Sequence, residues 1–444
     1  MNGGILKAAG YGATAALAGF LLSTTSARAA DLGGNCCADL EERVAELEAT
    51  TARKGNRRVS LTISGQVNTA LMFWDQGDDD AIYVVDNGVS RSGLVFSGSA
   101  KINPELTAGF QMVIGLAAGS RSHQTTQLDD DGGVAGDGSL GVELANWYLT
   151  HSRLGSLRLG RINSASSGTT SVDLGGAGVI ANVNAQLWLG NFFLSQGGAF
   201  NTGSAKWSTA MGGSTVGISA LSRQNAISYT TPTIAGFSVQ AAWGEQDATN
   251  DGMWDIALRY AGEFSGFRLA AAVSYGENAG GTNDFNDAPT VGTESEKWQG
   301  SASILHVASG LFLTGAFVEQ SYNVVVPDTT YWYMQGGITR NWTGMGNTVF
   351  YGEYGRFEDG GVGVSYGTLD DPVTLTQHTI DSSEVTFWGI GVVQHIDAAA
   401  MELYLAYRHY EATVLGTAGT SLTPFLDGSL DDLSVVTAGA RIRF

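Results

Sequence analysis

The stretch Leu61–Phe73, with the sequence LTISGQVNTALMF, alternates apolar and polar side chains along most of its length. The apolar positions are Leu61, Ile63, Val67, Leu71 and Phe73, and the positions between them include Thr62, Ser64, Gln66 and Asn68. A period of two residues is typical of a β-strand whose two faces meet different surroundings. The stretch therefore predicts a strand with one apolar face and one polar face.

The same alternation returns in the last stretch, Val436–Phe444. Val436, Ala438, Ala440, Ile442 and Phe444 share one face, and Thr437, Arg441 and Arg443 share the other. From the first stretch to the last we count sixteen strand-like segments, which begin near residues 59, 89, 105, 139, 155, 223, 235, 252, 265, 295, 311, 329, 347, 383, 399 and 433. Short links alternate with long, polar and acidic ones, which is typical of a transmembrane barrel with short periplasmic turns and long external loops.

The average hydropathy is compatible with a membrane barrel, because only alternate strand residues face lipid. Aromatic residues at strand ends, such as Trp243, Trp254 and Tyr407, favour a barrel over a soluble β-sandwich. Hydrophobic residues make up 43% of the 444 residues, and there are 62 glycines but only 6 prolines. Strands that must keep their ladder hydrogen bonds contain little proline, and in lipid every backbone group must be paired, which a closed barrel achieves. The sequence thus predicts an all-β fold, a 16-stranded antiparallel transmembrane β-barrel over residues 59–444.

The N-terminus has the pattern of a cleaved export signal. Lys7 precedes the apolar run Ala8–Leu22, and the small residues of Ser26–Ala29 follow that run. A basic start, a short apolar stretch and a small-residue cleavage site are the three parts of a secretory signal. Residues 1–29 are therefore predicted to be a signal peptide, so the remaining chain leaves the cytoplasm.

A short helix is predicted between the signal and the barrel. Asp39–Thr51 reads DLEERVAELEATT, with leucine and valine at helical spacing and charged residues between them. A helix of this length is marginal alone. Residues 30–58 are therefore predicted to form a periplasmic amphipathic helix that pairs with its copies in a coiled coil, and a loosely ordered linker helix is the alternative.

Charge and composition argue against several classes of function. The formal net charge is −20, whereas nucleic-acid binding calls for a basic surface. The six histidines do not pair at metal-ligand spacing, so no enzyme is predicted. The acidic stretches Asp78–Asp80 and Asp129–Asp131 are interpreted as solvated external loops, with weak Ca²⁺ binding as the alternative, since clustered carboxylates suit that ion. No other cofactor is predicted.

The polar face of the strands nominates the residues that line the lumen. A charge that faces hydrocarbon at the midplane costs about 2–4 kcal/mol, so charged strand residues are expected to point inward. The predicted basic lumen residues are Arg91, Lys101, Arg158, Arg259, Arg268, Arg408, Arg441 and Arg443. The predicted acidic residues on the same face are Asp255 and Glu402.

Two stretches resemble a known family. Asp39–Gln66 is similar to the start of mature alphaproteobacterial outer-membrane porins, and so is Arg223–Pro232 (RQNAISYTTP) followed by Ala235–Phe237. The aromatic Phe444 at the end resembles the assembly signal of outer-membrane barrels. The resemblance implies a general diffusion porin in the bacterial outer membrane, a homotrimer among outer-membrane lipids and lipopolysaccharide that passes small hydrophilic solutes and ions.

The resemblance also implies a long loop folded into the lumen, here at about residues 162–200. Many porins carry several acidic residues on this loop, which face arginines on the wall. In this sequence Asp173 is the only acidic residue of the loop. This departure predicts a weak transverse field between the loop and the arginine-rich wall, and Asp173 is the loop's candidate site residue.

Two other functions are left open by the sequence. One is a substrate-selective channel, for example for sugars, in which Tyr331–Tyr333 (YWY) would form an aromatic track; the same residues also suit an interfacial aromatic girdle. The other is a mainly structural envelope protein, in which the N-terminal helix tethers neighbouring copies.

Overall fold

The structure is a computed structural model. It describes residues 59–116, 121–128, 140–201, 205–212, 223–245, 252–278, 294–323, 327–363, 365–366, 378–417 and 428–444. The predicted signal peptide (residues 1–29) and amphipathic helix (residues 30–58) lie outside the described residues, and so does Asp129–Asp131. No helix in this described part of the chain is both long and apolar enough to span a membrane.

Strands make up almost all of the regular structure. They are β1 (Thr62–Gln76), β2 (Asp79–Asp86), β3 (Gly93–Lys101), β4 (Leu106–Leu116), β5 (Leu140–His151), β6 (Gly155–Ile162), β7 (Ser195–Gln196), β8 (Ala199–Phe200), β9 (Gln224–Thr230), β10 (Phe237–Glu245), β11 (Gly252–Phe264), β12 (Phe267–Asn278), β13 (Ser295–His306), β14 (Leu311–Tyr322), β15 (Thr329–Arg340), β16 (Thr348–Glu358), β17 (Ser365–Tyr366), β18 (His378–Ile396), β19 (Met401–Thr417), β20 (Gly428–Ser429) and β21 (Leu433–Arg443). The helical elements are Gln186–Leu189, Trp207–Ala210 and the 3-10 turns Gly88–Ser90 and Asp397–Ala399.

Sixteen of these strands form a closed antiparallel ring. The ring runs β1-β3-β4-β5-β6-β9-β10-β11-β12-β13-β14-β15-β16-β18-β19-β21 and returns to β1. The first and last stretches of the sequence close it, because Val67 pairs with Ile442 and Phe73 pairs with Val436. The strands β2, β17 and β20 extend the same sheet, and β7 and β8 pair only with each other. The predicted 16-stranded antiparallel barrel is confirmed.

The two ends of the barrel differ. At one end, which we call the turn end, short links such as residues 102–105, 152–154 and 265–266 join the strands. At the other, which we call the loop end, the links are mostly longer. The outward face of the barrel is apolar. Residues that pair directly across neighbouring strands share a face, and the exposed face carries residues such as Ile256, Leu258 and Phe317. Phe444 is 62% exposed beyond the outward Ile442.

The strand β2, which precedes β3 and extends the same wall, differs from the sequence expectation. Asp79 and Asp80, expected in a solvated loop, open β2, which pairs with the loop-end half of β1. The physical reason is the alternation of Ile82 and Val84, which are exposed, with the half-buried Tyr83. The strand then stops at Asp86 and resumes as β3, and residues 87–92 between them, which we call the inner bulge, turn into the barrel.

The interior of the barrel contains an apolar core on one side. Wall residues of β1 and of β14 to β21 pack there against residues of the long link between β6 and β9. The wall contributes large side chains such as Trp74, Phe357 and Tyr410, and the link contributes Trp188, Phe192 and Trp207 among others. This side of the lumen is therefore filled by protein.

Candidate channel constriction

The link between β6 and β9 runs along the inner wall, and we call its described residues 163–201 and 205–212 the lumen loop. Its first turn is fixed by Asp255, whose carboxylate accepts hydrogen bonds from the backbone N–H groups of Ala165 (3.1 Å) and Ser166 (2.6 Å). Arg259 lies on the same strand, β11, and on the same face as Asp255. It donates from Nη2 to the carbonyls of Ala165 (2.5 Å) and Ser167 (2.9 Å). The start of the loop is thus attached to the wall by two charged side chains.

Serines of β13 carry the next part of the lumen loop. Val172 donates its N–H to Ser301 Oγ (3.1 Å), and Leu174 donates its N–H to Ser303 Oγ (3.0 Å). Ser301 Oγ in turn donates to the carbonyl of Thr169 at 2.6 Å. Short hydroxyl side chains let the loop backbone lie directly against the wall, so the wall strand and the loop complete one another's hydrogen bonds.

Asp173 stabilises a turn of the lumen loop and does not face the opposite wall. Its carboxylate accepts the backbone N–H groups of Gly175 (2.6 Å), Gly176 (3.1 Å) and Ala177 (3.1 Å). Burial raises the pKa of this carboxyl, and the backbone hydrogen bonds oppose that rise. The sequence singled out Asp173 as the loop's one candidate for a transverse field. In the structure its carboxylate is instead hydrogen-bonded to the backbone of its own turn.

A buried ion pair holds the middle of the lumen loop. Arg408 on β19 and Glu353 on β16 are both inaccessible to solvent, with Nε to Oε1 at 2.7 Å and Nη2 to Oε2 at 2.8 Å. Arg408 also donates from Nη2 to the carbonyl of Asn182 (2.9 Å), and its guanidinium lies 4.4 Å from the ring centroid of Trp188. Arg408 points inward, as its strand pattern indicates. The sequence predicted that it would line the open lumen, but in the structure the lumen loop covers it and its guanidinium contacts protein.

The other inward charges lie in different environments. Arg158 on β6 donates to Gln111 Oε1 at 2.8 Å and remains partly exposed. At the turn end, Arg441 and Arg443 both contact Glu402, the latter at 3.0 Å. Two more basic candidates are also at the turn end: Arg268 pairs with Glu263 at 3.1 Å, and Lys101 is exposed at the end of β3.

A cluster of charges that the sequence pattern did not assemble lies beside the inner bulge. Glu143 on β5 contacts Arg91 Nη2 at 2.8 Å and Arg223 Nη1 at 3.3 Å. The two arginine side chains keep 24% and 28% of their exposure, against 11% for Glu143. Arg161 donates from Nε to the carbonyl of Glu143 at 3.2 Å, and Arg121 lies within electrostatic range of Arg91 and Arg223. We call these four arginines and Glu143 the arginine cluster.

Positive charge prevails in the arginine cluster. Arg91 and Arg223 both contact Glu143, and an arginine side chain stays protonated at neutral pH. Burial and the neighbouring arginines lower the pKa of His123 to about 3, so this imidazole is neutral at ordinary pH. At neutral pH the cluster therefore has four cations facing one carboxylate of its own, with Asp86 close by.

Sequence reasoning found only Arg91 of this cluster, for identifiable reasons. Glu143 stands where the pairing of β4 with β5 shifts register, so its face cannot be read from alternation. Arg223 immediately precedes β9 and Arg161 lies at the end of β6, where the chain leaves the wall. The sequence did offer one signal: an arginine stands at each end of the long link between β6 and β9, Arg161 at its start and Arg223 at its end.

The aromatic residues proposed as a sugar track do not form one. Tyr331 and Tyr333 point inward but are buried, and Tyr331 donates its hydroxyl to the carbonyl of Val183 in the lumen loop. Trp332 points outward and is 40% exposed, packed against Tyr354. The substrate-selective alternative therefore loses the observation that suggested it.

Removal of the carboxylate at the loop's first turn gives a testable prediction. Asp255→Ala leaves the N–H groups of Ala165 and Ser166 without their acceptor, and hydrogen bonds to a charged group contribute about 1.5–3 kcal/mol. We expect stronger current fluctuations through single barrels in a planar bilayer. Asp328→Ala, an exposed aspartate between β14 and β15, is the matched control, and equal noise in the two variants would contradict the anchoring role.

Known proteins with similar sequence or structure are consistent with this arrangement. The family model described as Gram-negative porin matches residues 13–414. No curated protein matches the chain. The anion-selective porin from Comamonas acidovorans is similar in structure, with a TM-score of 0.54 at 17% identity over 87% of this chain and 100% of that chain.

Two further solved structures share the fold at low identity. OmpF of Salmonella typhi in complex with daunomycin has a TM-score of 0.50 at 15% identity, over 88% of this chain and 99% of that chain. The trimer form of OmpT, an outer membrane protein of Vibrio cholerae, has a TM-score of 0.50 at 12% identity, over 87% of this chain and 99% of that chain. These similarities extend to the whole barrel and concern its fold.

Proposed function

Because this chain belongs to the Gram-negative porin family and so forms an outer-membrane diffusion channel, we propose that the channel favours small anions among the hydrophilic solutes and ions that it passes. The arginine cluster is the single observation that carries the proposal. Its arginines retain exposure, whereas the apolar core and the lumen loop fill the opposite side of the barrel. Members of this family are channels without catalytic chemistry, and the protein lies in the outer membrane. We propose that its turn end faces the periplasm, because short periplasmic turns are typical of such barrels.

The net charge of −20 does not oppose an anion preference. Charges in a narrow cleft with low-dielectric walls focus the field and raise the local concentration of counter-ions. Exposed loop carboxylates are screened over a Debye length of about 10 Å at 0.1 M salt. The charges nearest the narrow passage therefore decide selectivity, and in this protein those are the guanidinium groups of the arginine cluster.

The reversal potential across a planar bilayer under a KCl gradient tests the anion preference. We expect the wild type to favour chloride, and Arg91→Gln with Arg223→Gln to lower the chloride-to-potassium permeability ratio about threefold or more, since charges focused in a cleft raise the local counter-ion concentration about tenfold or more and two of the four guanidinium groups remain. Arg340→Gln with Arg356→Gln removes the same charge from exposed positions and serves as the matched control. A cation-selective wild type would overturn the proposal, as would equal shifts in both double variants.

We further propose that the protein is a homotrimer of the alphaproteobacterial porin type. The trimer form of the structurally similar OmpT supports the assembly, and the stretches Asp39–Gln66 and Arg223–Pro232 support the type. The outward apolar face suits contact with outer-membrane lipids and lipopolysaccharide. A trimer-sized gel band that collapses on heating is the expected observation, and a monomer in mild detergent would contradict it.

We retain as proposals the signal peptide at residues 1–29 and the periplasmic amphipathic helix at residues 30–58. We propose that the channel needs no cofactor, with weak Ca²⁺ binding at the acidic external loops as the alternative. Within the described ranges, no three or more His, Cys, Asp or Glu side chains are grouped so that they could hold a metal ion. Channel activity that survives chelation of divalent cations is the expected result.

A further inference from the structure

The inner bulge is an insertion in the barrel wall. On β1, Thr69 pairs with Asp86 and Gln66 pairs with Gly93. Six residues of the bulge therefore stand opposite only two residues of β1, and the excess cannot lie flat in the sheet. The chain turns inward through the 3-10 turn Gly88–Ser90, and all three residues of that turn are buried.

The wall side of the inner bulge is fixed by side chains of β1. Asn68 Nδ2 donates to the carbonyl of Ser90 at 2.7 Å, and Gln66 Nε2 donates to the carbonyl of Arg91 at 2.8 Å. The N–H of Ser92 donates to the Asp86 carboxylate at 3.1 Å, which closes the base of the insertion. Because these groups are buried, each hydrogen bond left unmade would be costly, so the bulge has one defined conformation.

The lumen side of the inner bulge joins it to two other segments. Asn87 Nδ2 donates to the carbonyl of Val179 in the lumen loop (3.1 Å) and to Tyr404 Oη (3.0 Å) on β19. Ser122 Oγ accepts the N–H of Gly88 at 3.0 Å and donates to the carbonyl of Leu187 at 2.6 Å. The inner bulge, the loop after β4 and the lumen loop therefore meet at one point inside the barrel.

Gly88 shows how closely these segments approach. A Cβ atom at this position would lie 2.6 Å from the carbonyl oxygen of Leu187 and 2.9 Å from Ser122 Oγ. Neither distance leaves room for a side chain, so the backbone of the bulge lies directly against the Leu187 carbonyl and against the side chains of Ser122 and His123. Near the end of the bulge, Arg91 extends to Glu143, and it is the residue of the bulge that retains exposure.

We propose that the inner bulge is a second restriction of the channel, which limits solute size and positions Arg91 within the arginine cluster. The lumen loop narrows the barrel from the side of β11 to β19, and the inner bulge narrows it from β1 and β3. The size limit goes beyond the proposed anion preference. The positioning of Arg91, in contrast, rests on that proposed preference. Uncharged solutes separate the two, because their passage does not depend on charge selectivity.

The first experiment replaces Asn87–Ser92 by two residues, Ser-Thr, so that β2 continues directly into β3. The full-length protein is reconstituted in liposomes, and swelling is measured with neutral sugars of increasing size. We expect the largest sugar that still permeates the wild type to permeate the variant about twofold faster or more, since pore diameter limits such passage. Single-channel conductance is expected to rise as well. Unchanged sugar permeation and conductance in a heat-modifiable, assembled variant would overturn the proposal.

A point variant tests the same proposal without altering chain length. Asn87→Ala removes the bonds to Val179 and Tyr404 and keeps the backbone, so we expect stronger open-channel current noise and faster permeation of large neutral sugars. Asn341→Ala is the matched control. Asn341 accepts a local N–H bond from Gly344 at 2.7 Å, as Asn87 does from Val89 at 2.9 Å, but it lies exposed at the turn end. Identical behaviour of the two variants would overturn the restriction by the bulge, even where the shortened variant does not assemble.

Discussion

Glu353→Gln is expected to lower the free energy of unfolding by about 3–5 kcal/mol, the cost of removing one partner of a buried ion pair. The substitution keeps the shape of the side chain, so the loss reflects the charge that remains on Arg408. That cation lies under the lumen loop with no access to solvent, and the carbonyl of Asn182 is a weak substitute for a carboxylate. Urea titration in detergent, followed by tryptophan fluorescence, measures the change.

The exposed ion pairs of Arg356 provide the control for this prediction, and the control variant is Glu384→Gln. Arg356 contacts Glu358 at 2.7 Å and Glu384 at 3.1 Å on the outer surface. Exposed pairs contribute about 0–1 kcal/mol, so Glu384→Gln should change stability little. The double variant Glu353→Met with Arg408→Met should recover much of the loss, because apolar groups often replace a buried pair without cost. A small effect of Glu353→Gln would show that water reaches Arg408.

Leu258→Arg is expected to destabilise the barrel by about 2–4 kcal/mol, the cost of an arginine at the bilayer midplane. Leu258 points outward, is 42% exposed, and pairs with Val239 and Val273. Along β11 it lies between the aromatic contact of Trp254 with Tyr275 and that of Tyr260 with Phe237. Such contacts mark the two interfaces of a membrane barrel, so Leu258 is near the middle of the apolar band.

The depth dependence of the cost provides the control. Leu311 is also exposed and outward but opens β14 at the turn end, where an arginine near the interface should cost about 0–1 kcal/mol. Unfolding of both variants in lipid vesicles gives the comparison. Equal costs at Leu258 and Leu311 would mean that the band is not centred as the aromatic contacts indicate.

The barrel could be predicted from the sequence because lipid imposes a period of two on every strand. The same rule gave the inward direction of Arg408, Arg441 and Asp255. It could not show what covers the inward face, which depends on contacts between distant parts of the chain. Arg408 is buried because Asn182 and Trp188 approach it from a loop more than two hundred residues away in sequence.

One sign of the filled interior was nevertheless present in the sequence of the first strand, β1. Ala70, Met72 and Trp74 are apolar and occupy the inward face of β1, where water would favour polar residues. In the lumen loop, Val179, Ile180 and Leu189 likewise suit packing better than solvent. The arginine cluster and the inner bulge gave no such signal, because both arise where alternation breaks: at a register shift, at loop roots and within an insertion.

The seam between β1 and β21 has a consequence for how the barrel forms. The first strand made by the ribosome finds one of its two ring partners only when the last strand has been made, since Gln66 pairs with Arg443. Until then β1 is an edge with unsatisfied N–H and C=O groups, a surface prone to pairing with other chains. Closure joins residues far apart in sequence, and such contacts form slowly. The barrel therefore matures as a whole after synthesis and depends on protection of its two edges during that interval.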